Sequence, residues 1–165
     1  MRAARNLMAA TQRVLAVVPL GATALAAALE AEGCEVLATD RTDRGMGASL
    51  AAAVEATATA DGWIVALGDM PAIAPATISW IAQALVDGAT VAAPFDADGR
   101  RGHPVGFGAG LRAELQALDG DVGARHVIEA HAAAVTAIVV DDPGIFVDID
   151  TAQDLGTLSG APPAG

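Results

Sequence analysis

The sequence has no lysine, no tyrosine and a single cysteine among its 165 residues. Nine arginines face twenty acidic residues, so the net charge is −11. This acidity excludes a general nucleic-acid-binding surface, which needs a basic footprint. It still allows a small phosphorylated ligand held by a few arginines, backbone amides and a metal. The lone Cys34 excludes an internal disulfide framework and a zinc cluster, and predicts a reducing, cytoplasmic compartment.

Aromatic residues make up only 3% of the chain, and no apolar run approaches the ~20 residues of a membrane span. We therefore expect no membrane partner. The chain is nevertheless 53% hydrophobic, so alanine, valine, leucine and isoleucine can build a full core. The length predicts one domain.

Short apolar runs that fit strands alternate with alanine-rich stretches that fit helices. The strands are predicted at 13–18, 35–38, 63–67, 90–94, 104–107 (an edge-like strand), 135–140 and 146–149. The helices are predicted at 2–11, 21–32, 46–59, 75–85, 111–118, 122–133 and 151–158. This alternation predicts a three-layer α/β sandwich with a mostly parallel sheet. The composition of residues 159–165 predicts a disordered tail.

One apolar run ends abruptly in a glycine, a carboxylate and a proline. Residues 64–67 are too few for a helix and fit a buried strand. Gly68 allows a turn or the close approach of a ligand, and Pro71 ends the strand pairing. Asp69 is thus expected at the carboxyl end of a central strand, where open α/β sheets bind ligands and a carboxylate can hold Mg²⁺. The alternative is that Asp69 only caps the following turn.

A second stretch places two glycines in a loop that opens a helix. Gly45 and Gly47 would expose backbone amides to an anion or a nucleotide at the positive helix end. The same pattern also serves as ordinary turn chemistry. Ser49 is either a nucleotide contact or a first-turn residue.

A third stretch, 99–105, sets two arginines and a histidine beside a proline. Arg101 and His103 could hold an anionic substrate, although adjacent arginines also occur at solvated hairpin tips. Near the C-terminus, Asp148 and Asp150 alternate along a predicted strand and so face one side. Two such carboxylates repel each other unless a cation or solvent separates them. The alternative is an N-cap at Asp150 or Thr151.

In their order and spacing, five stretches together resemble the MobA-like nucleotidyltransferase family, and within it the molybdenum-cofactor cytidylyltransferase branch. They are GMGASL (45–50), ALGDMPAI (66–73), GRRGHPVGF (99–107), GDVGARHVI (120–128) and DDPGIFVDIDTAQDL (141–155). The resemblance covers about 13–158 and implies a Rossmann-like, nucleotide-diphospho-sugar transferase-like domain over 1–158. It implies transfer of CMP from CTP, or of GMP from GTP, to a phosphate of an acceptor such as molybdopterin, with release of pyrophosphate.

The resemblance also implies roles for individual residues. Asp69 and Asp150 would be the catalytic carboxylates that hold Mg²⁺, with Asp148 as the alternative metal ligand. The nucleotide would contact Gly45, Met46, Gly47, Ser49 and Gly68. The acceptor would contact Arg101, Gly102, His103 and Pro104. A molybdoenzyme or its chaperone would be the protein partner.

One departure from the family concerns the N-terminus. The family opens with a strand and a glycine-rich loop of the type L-A-A-G-x-S-x-R-M-G followed by a lysine, and this sequence has neither. About one βα unit, roughly 30 residues, is expected to be absent. The strands at 13–18 and 63–67 would then lack a shared neighbour in the sheet. A late start codon, a truncated form and a divergent protein that binds without catalysing would each explain this pattern.

Overall fold

A computed structural model describes residues 1–149. Its helices are α1 (Arg2–Met8), α2 (Thr23–Ala31), α3 (Met46–Ala56), α4 (Pro75–Val86), α5 (Arg112–Gln116) and α6 (Arg125–Ala130). Its strands are β1 (Leu15–Pro19), β2 (Glu35–Thr39), β3 (Gly62–Val65), β4 (Val91–Phe95), β5 (Val105–Gly108) and β6 (Val135–Val139). Short 3-10 helices occupy Asp40–Arg44, Ala109–Leu111, Ala132–Ala134 and Pro143–Phe146. The predicted helix at 151–158, the predicted tail and Asp150 lie outside the described residues.

The strands form two sheets. β1 and β2 pair in parallel, and the second sheet has the order β3-β5-β4-β6. β5 is antiparallel to both of its neighbours, while β4 and β6 are parallel. β3, β4 and β6 therefore share one direction. The protein has a mixed α/β fold in which β5 alone opposes the strands of its sheet.

Helices cover both faces of the larger sheet because its side chains alternate. Val91, Ala93, Val105 and Phe107 point to one face, where they pack against buried side chains of α3, α5 and α6. On the other face, Gly106 lies against α4: a Cβ at this glycine would come within 2.7 Å of Ile81. The core is thus built largely of aliphatic side chains in three layers.

Each of the two sheets includes a strand with one unpaired edge among the described residues. Within residues 1–149, β1 pairs only with β2 and β3 pairs only with β5. Helix α1 contacts the apolar clusters of both sheets, with Ala4 and Met8 beside Val18 and Leu7 beside Ile64. Every residue of β3 is only half-buried, whereas four of the five residues of β4 are fully buried. Within the described residues, β3 is therefore an edge strand of its sheet.

Four expectations differ from the structure. The strand before Asp69, expected to be central and buried, is β3, which is half-buried and pairs only with the antiparallel β5 within residues 1–149. β5 is an internal strand and not an edge. Residues 146–149 form no strand among the described residues, since a 3-10 helix ends at Phe146 and the chain then follows the turn after β3. The predicted helix at 122–133 begins only at Arg125, because Gly120 and Gly123 adopt positive φ angles of 67° and 58°. No helix in the described part of the chain is long and apolar enough to cross a membrane.

Candidate functional site

Asp69 lies in an exposed turn that follows β3. Its carboxylate makes no hydrogen bond or ion pair with any other residue in 1–149. The turn itself is fixed from below by the buried side chains of Met70 and Ile73. From the side, the Asn6 amide of α1 donates to the carbonyl oxygens of Pro71 at 3.1 Å and Ile73 at 2.8 Å. The carboxylate is therefore held at the strand end without being used by the fold.

Residues 142–149 dock onto this turn from the other side. Asp142 accepts hydrogen bonds from the Ala74 amide at 2.9 Å and the Thr77 hydroxyl at 2.6 Å, which ties the segment to the start of α4. Gly144 packs so closely on Ala72 that a Cβ would overlap its carbonyl. The Ile149 amide then donates to the Asp69 carbonyl at 2.8 Å. These contacts bring the backbone of Asp148 beside the Asp69 turn.

His103 reaches the same place from the start of β5. Its amide donates to the Ile145 carbonyl at 3.0 Å. The preceding Gly102 packs directly on Ile145, since a Cβ at position 102 would lie 2.6 Å from the Ile145 side chain. The imidazole is half-buried, and its Nδ1 has no hydrogen-bond partner within residues 1–149. Burial lowers the pKa of His103, nearby Arg101 lowers it further, and the Asp69 carboxylate opposes the change. The charges of Arg101 and Asp69 therefore both act on the imidazole of His103.

The two adjacent arginines have different surroundings. The Arg100 guanidinium lies 4.4 Å from the centre of the Phe146 ring and 3.4 Å from the Asp96 carboxylate. Arg101 is exposed and has no ion pair among the described residues. Arg101 is therefore a cation that is available to an anionic ligand beside His103.

The site offers oxygen donors suited to a hard cation. Asp69 and Asp148 both expose carboxylates, and Mg²⁺ is commonly held by one or two carboxylates together with substrate phosphates and water. Residues 1–149 contain no group of three or more His, Cys, Asp or Glu side chains placed to hold a metal by themselves. Asp150 is outside the described residues. The donor set therefore fits a cation shared with a ligand better than an all-protein metal site.

A side chain at position 68, in place of Gly68, would clash with no neighbouring residue. Its φ angle is not positive, and a Cβ there would meet nothing within 4 Å. The described fold therefore does not require glycine at this position. The open space above the backbone is available to a ligand.

The Gly45–Gly47 stretch lies against another loop and not against the Asp69 turn. The Gly47 amide donates to the Gly120 carbonyl at 2.7 Å, and Arg44 pairs with Asp119 at 2.7 Å. A Cβ at Gly47 would come within 2.8 Å of the Asp119 carbonyl oxygen. The predicted exposure of this amide to an anion is therefore wrong for Gly47. The Ser49 hydroxyl donates to the Gly45 carbonyl at 3.0 Å, as a first-turn residue does.

A cleft of about 280 Å³ lies beside α3 on the side of this loop contact. Its charged lining is already paired, Arg41 with Glu55 at 2.9 Å and Arg44 with Asp119. None of the residues around Asp69 lines it. This cleft therefore adds no unpaired positive charge for a phosphate.

Sequence reasoning missed the residues that hold the site together. Asn6 lies on a helix that the pattern treats only as apolar, and Asp142 looks like an ordinary turn residue. The one available signal was the Asp-Pro-Gly sequence at 142–144, which is typical of a tight turn. Its contact with α4 depends on the tertiary fold.

Comparison with known proteins gives one family. The model described as "MobA-like NTP transferase domain" matches residues 1–135. A comparison with functionally curated proteins finds no match.

Several solved structures are similar over nearly the whole chain. The Mycobacterium tuberculosis protein Rv0371c, solved as a complex with manganese, is 27% identical, with a TM-score of 0.76 over 95% of this chain and 83% of its own. A nucleotidyl transferase from Methanothermobacter thermautotroptrophicus is 26% identical, with a TM-score of 0.77 over 95% and 76%. A CMP:2-keto-3-deoxy-manno-octonic acid synthetase complexed with CTP is 13% identical, with a TM-score of 0.69 over 95% and 85%, which shows a shared fold.

Proposed function

Because the chain belongs to the MobA-like NTP transferase family, we propose that this nucleotidyltransferase transfers CMP from CTP to a phosphate group of an acceptor and releases pyrophosphate. The supporting observation is the convergence of three separate segments on one strand end. The turn of Asp69, the backbone of Asp148 and the Arg101–His103 stretch are joined by hydrogen bonds at Ile149 and Ile145. The charges of Arg101 and of Asp69 both act on His103, which supports a site that combines a carboxylate with a guanidinium.

The chemistry of nucleotidyl transfer suits this arrangement. In-line displacement at phosphorus needs positioning and neutralisation of charge more than a protein nucleophile. Asp69, with Asp148 or Asp150, would hold Mg²⁺, which when bound neutralises charge on the triphosphate and the leaving pyrophosphate. Gly68 would let the nucleotide lie close to the backbone. Arg101 would hold the acceptor phosphate so that its oxygen faces the α-phosphorus.

Gly102, His103 and Pro104 would complete the acceptor side. The backbone of His103 is held by its bond to Ile145, which fixes the point from which the side chain leaves the chain. Since Nδ1 is buried, the imidazole would hydrogen-bond a polar acceptor through Nε2. We propose a molybdopterin-type acceptor, in keeping with the resemblance of five motifs to molybdenum-cofactor cytidylyltransferases, and a molybdoenzyme or its chaperone as the receiving protein in the cytoplasm.

Two features of similar structures support the choice of ligands. Rv0371c was solved with manganese, a divalent ion that accepts the same oxygen ligands as Mg²⁺. A protein of the same fold was solved with CTP. GTP is the alternative nucleotide.

Release of pyrophosphate tests the proposal. The protein is incubated with Mg²⁺, molybdopterin and either CTP or GTP, and pyrophosphate is measured over time. We expect release with CTP that needs all three components. A stronger response to GTP would make the enzyme a guanylyltransferase, and no release with either nucleotide would contradict catalysis by this chain.

A second candidate is a non-catalytic module that binds a nucleotide or pterin. It is favoured by the absence of lysine from the sequence and by the edges of β1 and β3 that stay unpaired within residues 1–149. Calorimetry separates the two candidates. Binding of CTP or molybdopterin without any release of pyrophosphate would favour the module.

A further inference from the structure

The Arg100 side chain joins two segments of the candidate site. Its guanidinium carbon lies 4.4 Å from the centre of the Phe146 ring, and its Nε lies 3.4 Å from the Asp96 carboxylate. Phe146 belongs to the segment 142–149, whereas Asp96 begins the turn that leads to the acceptor side of the proposed site. Arg100 therefore connects the acceptor side to the segment that carries Asp148.

The turn that presents Arg100 is fixed by its own hydrogen bonds. The Asp96 carboxylate accepts from the amides of Asp98 at 3.1 Å and of Arg100 at 2.8 Å. The Asp96 amide in turn donates to the Arg100 carbonyl at 3.0 Å. Because the backbone of Arg100 is held at both its amide and its carbonyl, the contact with Phe146 has to order only the side chain.

Arg100 and the arginine after it face different sides of the chain, because side chains alternate along an extended segment. Arg100 contacts Phe146. Two positions later, a Cβ at Gly102 would lie 2.6 Å from the Ile145 side chain, so both positions face the same neighbouring segment. Arg101, between them, is exposed. The two adjacent arginines are thus suited to different tasks, the first to hold the neighbouring segment and the second to hold an anion.

Phe146 lies between two points at which its segment is hydrogen-bonded to the rest of the fold. Before it, the Asp142 carboxylate accepts hydrogen bonds from the start of α4. After it, the Ile149 amide donates to the Asp69 carbonyl at 2.8 Å. Phe146 ends the last 3-10 helix, two residues before Asp148. A shift of the Phe146 ring would therefore move the stretch that carries Asp148.

We infer that Arg100 is a positioning residue, which holds Phe146 against the turn 96–101 and so keeps the backbone of Asp148 at the Asp69 turn. This inference rests on the proposed nucleotidyltransferase function, in which Asp148 is a candidate ligand of the cation. Arg100 thus favours the binding of a cation although it carries a positive charge itself.

Hydrogen exchange of the Ile149 amide, followed by NMR, tests the connection without any ligand. This amide donates to Asp69, so its exchange rate reports how often the segment opens. A contact between a cation and an exposed aromatic ring corresponds to about a two- to fivefold change in an equilibrium constant. Arg100→Gln should therefore speed exchange by about that factor. Phe146→Leu should do the same, and the double variant should add little to either single variant.

Asp98→Asn is the matched control, since it removes an exposed carboxylate of the same turn. It should leave the exchange of Ile149 unchanged. Arg100 is itself exposed, so Arg100→Gln should fold as the unmodified protein does. A thermal melt shows whether Phe146→Leu is folded as well.

Binding of Mn²⁺ in the presence of CTP, measured by electron paramagnetic resonance, separates positioning from charge. Loss of a positive charge near a cation site would by itself strengthen Mn²⁺ binding. Positioning predicts the opposite sign, so Arg100→Gln should weaken Mn²⁺ binding by about two- to fivefold. Phe146→Leu, which removes no charge, should weaken it by a similar factor.

The outcomes separate this inference from the function on which it rests. If the unmodified protein binds no more Mn²⁺ than CTP alone does, the proposed cation site fails and the inference with it. If it binds Mn²⁺ but Arg100→Gln leaves that binding or the exchange of Ile149 unchanged, the inference alone is overturned. An effect in Arg100→Gln that folded Phe146→Leu does not reproduce would also overturn it, because Arg100 would then not act through the ring.

Discussion

The amide of Ile149 donates a 2.8 Å hydrogen bond to the carbonyl oxygen of Asp69, and this bond joins two residues that are 80 positions apart in the chain. Asp148 precedes this amide, so its backbone is brought to the turn that exposes Asp69. The carboxylates of two distant acidic motifs thereby become candidates for one cation.

Asp69→Asn should remove nucleotidyl transfer and leave the fold intact. The Asp69 carboxylate is exposed and has no partner among residues 1–149, so the free energy of unfolding should change by less than ~0.5 kcal/mol. Release of pyrophosphate should fall by at least about 100-fold, as expected when a charge that stabilises the transition state is lost.

Asp61→Asn is the matched control for that variant. Asp61 is an exposed aspartate immediately before β3, at the opposite end of the strand from Asp69. It should retain both stability and pyrophosphate release. Equal loss of activity in the two variants would show that the effect comes from general acidity and not from the strand end.

Asp142→Ala should destabilise the protein. Its carboxylate accepts hydrogen bonds from Ala74, Thr77 and Gly144, and the first of these serves the start of α4. Losing them should cost about 2–4 kcal/mol of unfolding free energy, measured by urea denaturation. Asp141→Ala, which alters the exposed neighbour, should stay within about 0.5 kcal/mol. If Asp142→Ala lowers the free energy of unfolding no more than Asp141→Ala does, the hydrogen bonds of Asp142 do not hold residues 142–149 in place.

Two glycine substitutions should separate stability from binding. Gly144→Ala would place a Cβ onto the Ala72 carbonyl and should cost about 1–3 kcal/mol through overpacking. Gly68→Ala meets no atom within 4 Å, so it should keep its stability within about 0.5 kcal/mol. We nevertheless expect Gly68→Ala to weaken CTP binding in calorimetry. Unchanged binding would argue that the nucleotide does not pass over Gly68.

The free energy of unfolding should fall as the pH drops below the ordinary pKa of histidine. Burial lowers the pKa of His103 from its ordinary value of 6.5, so below that pH the unfolded state binds more protons than the folded state. Its neutral form thus contributes stability above about pH 6.5 that is lost on acidification. His103→Gln should flatten the change in unfolding free energy between about pH 7.5 and pH 5.5.

The exposed His126 provides the comparison for that experiment. His126→Gln removes an exposed imidazole instead, so it should still lose more stability to urea between about pH 7.5 and pH 5.5 than His103→Gln does. If His103→Gln and the unmodified protein lose stability equally over this pH range, the imidazole of His103 is not held in its neutral form by the fold.

Periodicity in the sequence was enough to predict the helices and strands that build the three layers. The position of β5 was not predictable in the same way. Pro104 suggested an edge, because proline cannot donate a hydrogen bond within a sheet. In the structure Pro104 precedes β5, so the amides of Val105–Gly108 remain free to pair on both sides.

The candidate site was predictable in its residue types and only partly in its arrangement. A carboxylate between an apolar run and a proline indicated a strand end, and Asp69 is at one. The glycines at 45 and 47 suggested a loop that binds an anion through its backbone amides. The Gly47 amide instead donates to the carbonyl of Gly120, which lies 73 positions later in the chain. A close backbone contact of this kind leaves no periodic signal, so sequence patterns alone could not distinguish it from a phosphate loop.

Binding of Mn²⁺, followed by electron paramagnetic resonance in the presence of CTP, tests most directly whether Asp69 holds the catalytic cation. Free Mn²⁺ gives a strong signal that decreases on binding, so the bound fraction can be compared between variants. We predict that the unmodified protein and Asp61→Asn bind Mn²⁺ with CTP, while Asp69→Asn binds no more than a solution of CTP alone. Equal Mn²⁺ binding by Asp69→Asn and the unmodified protein would contradict the account.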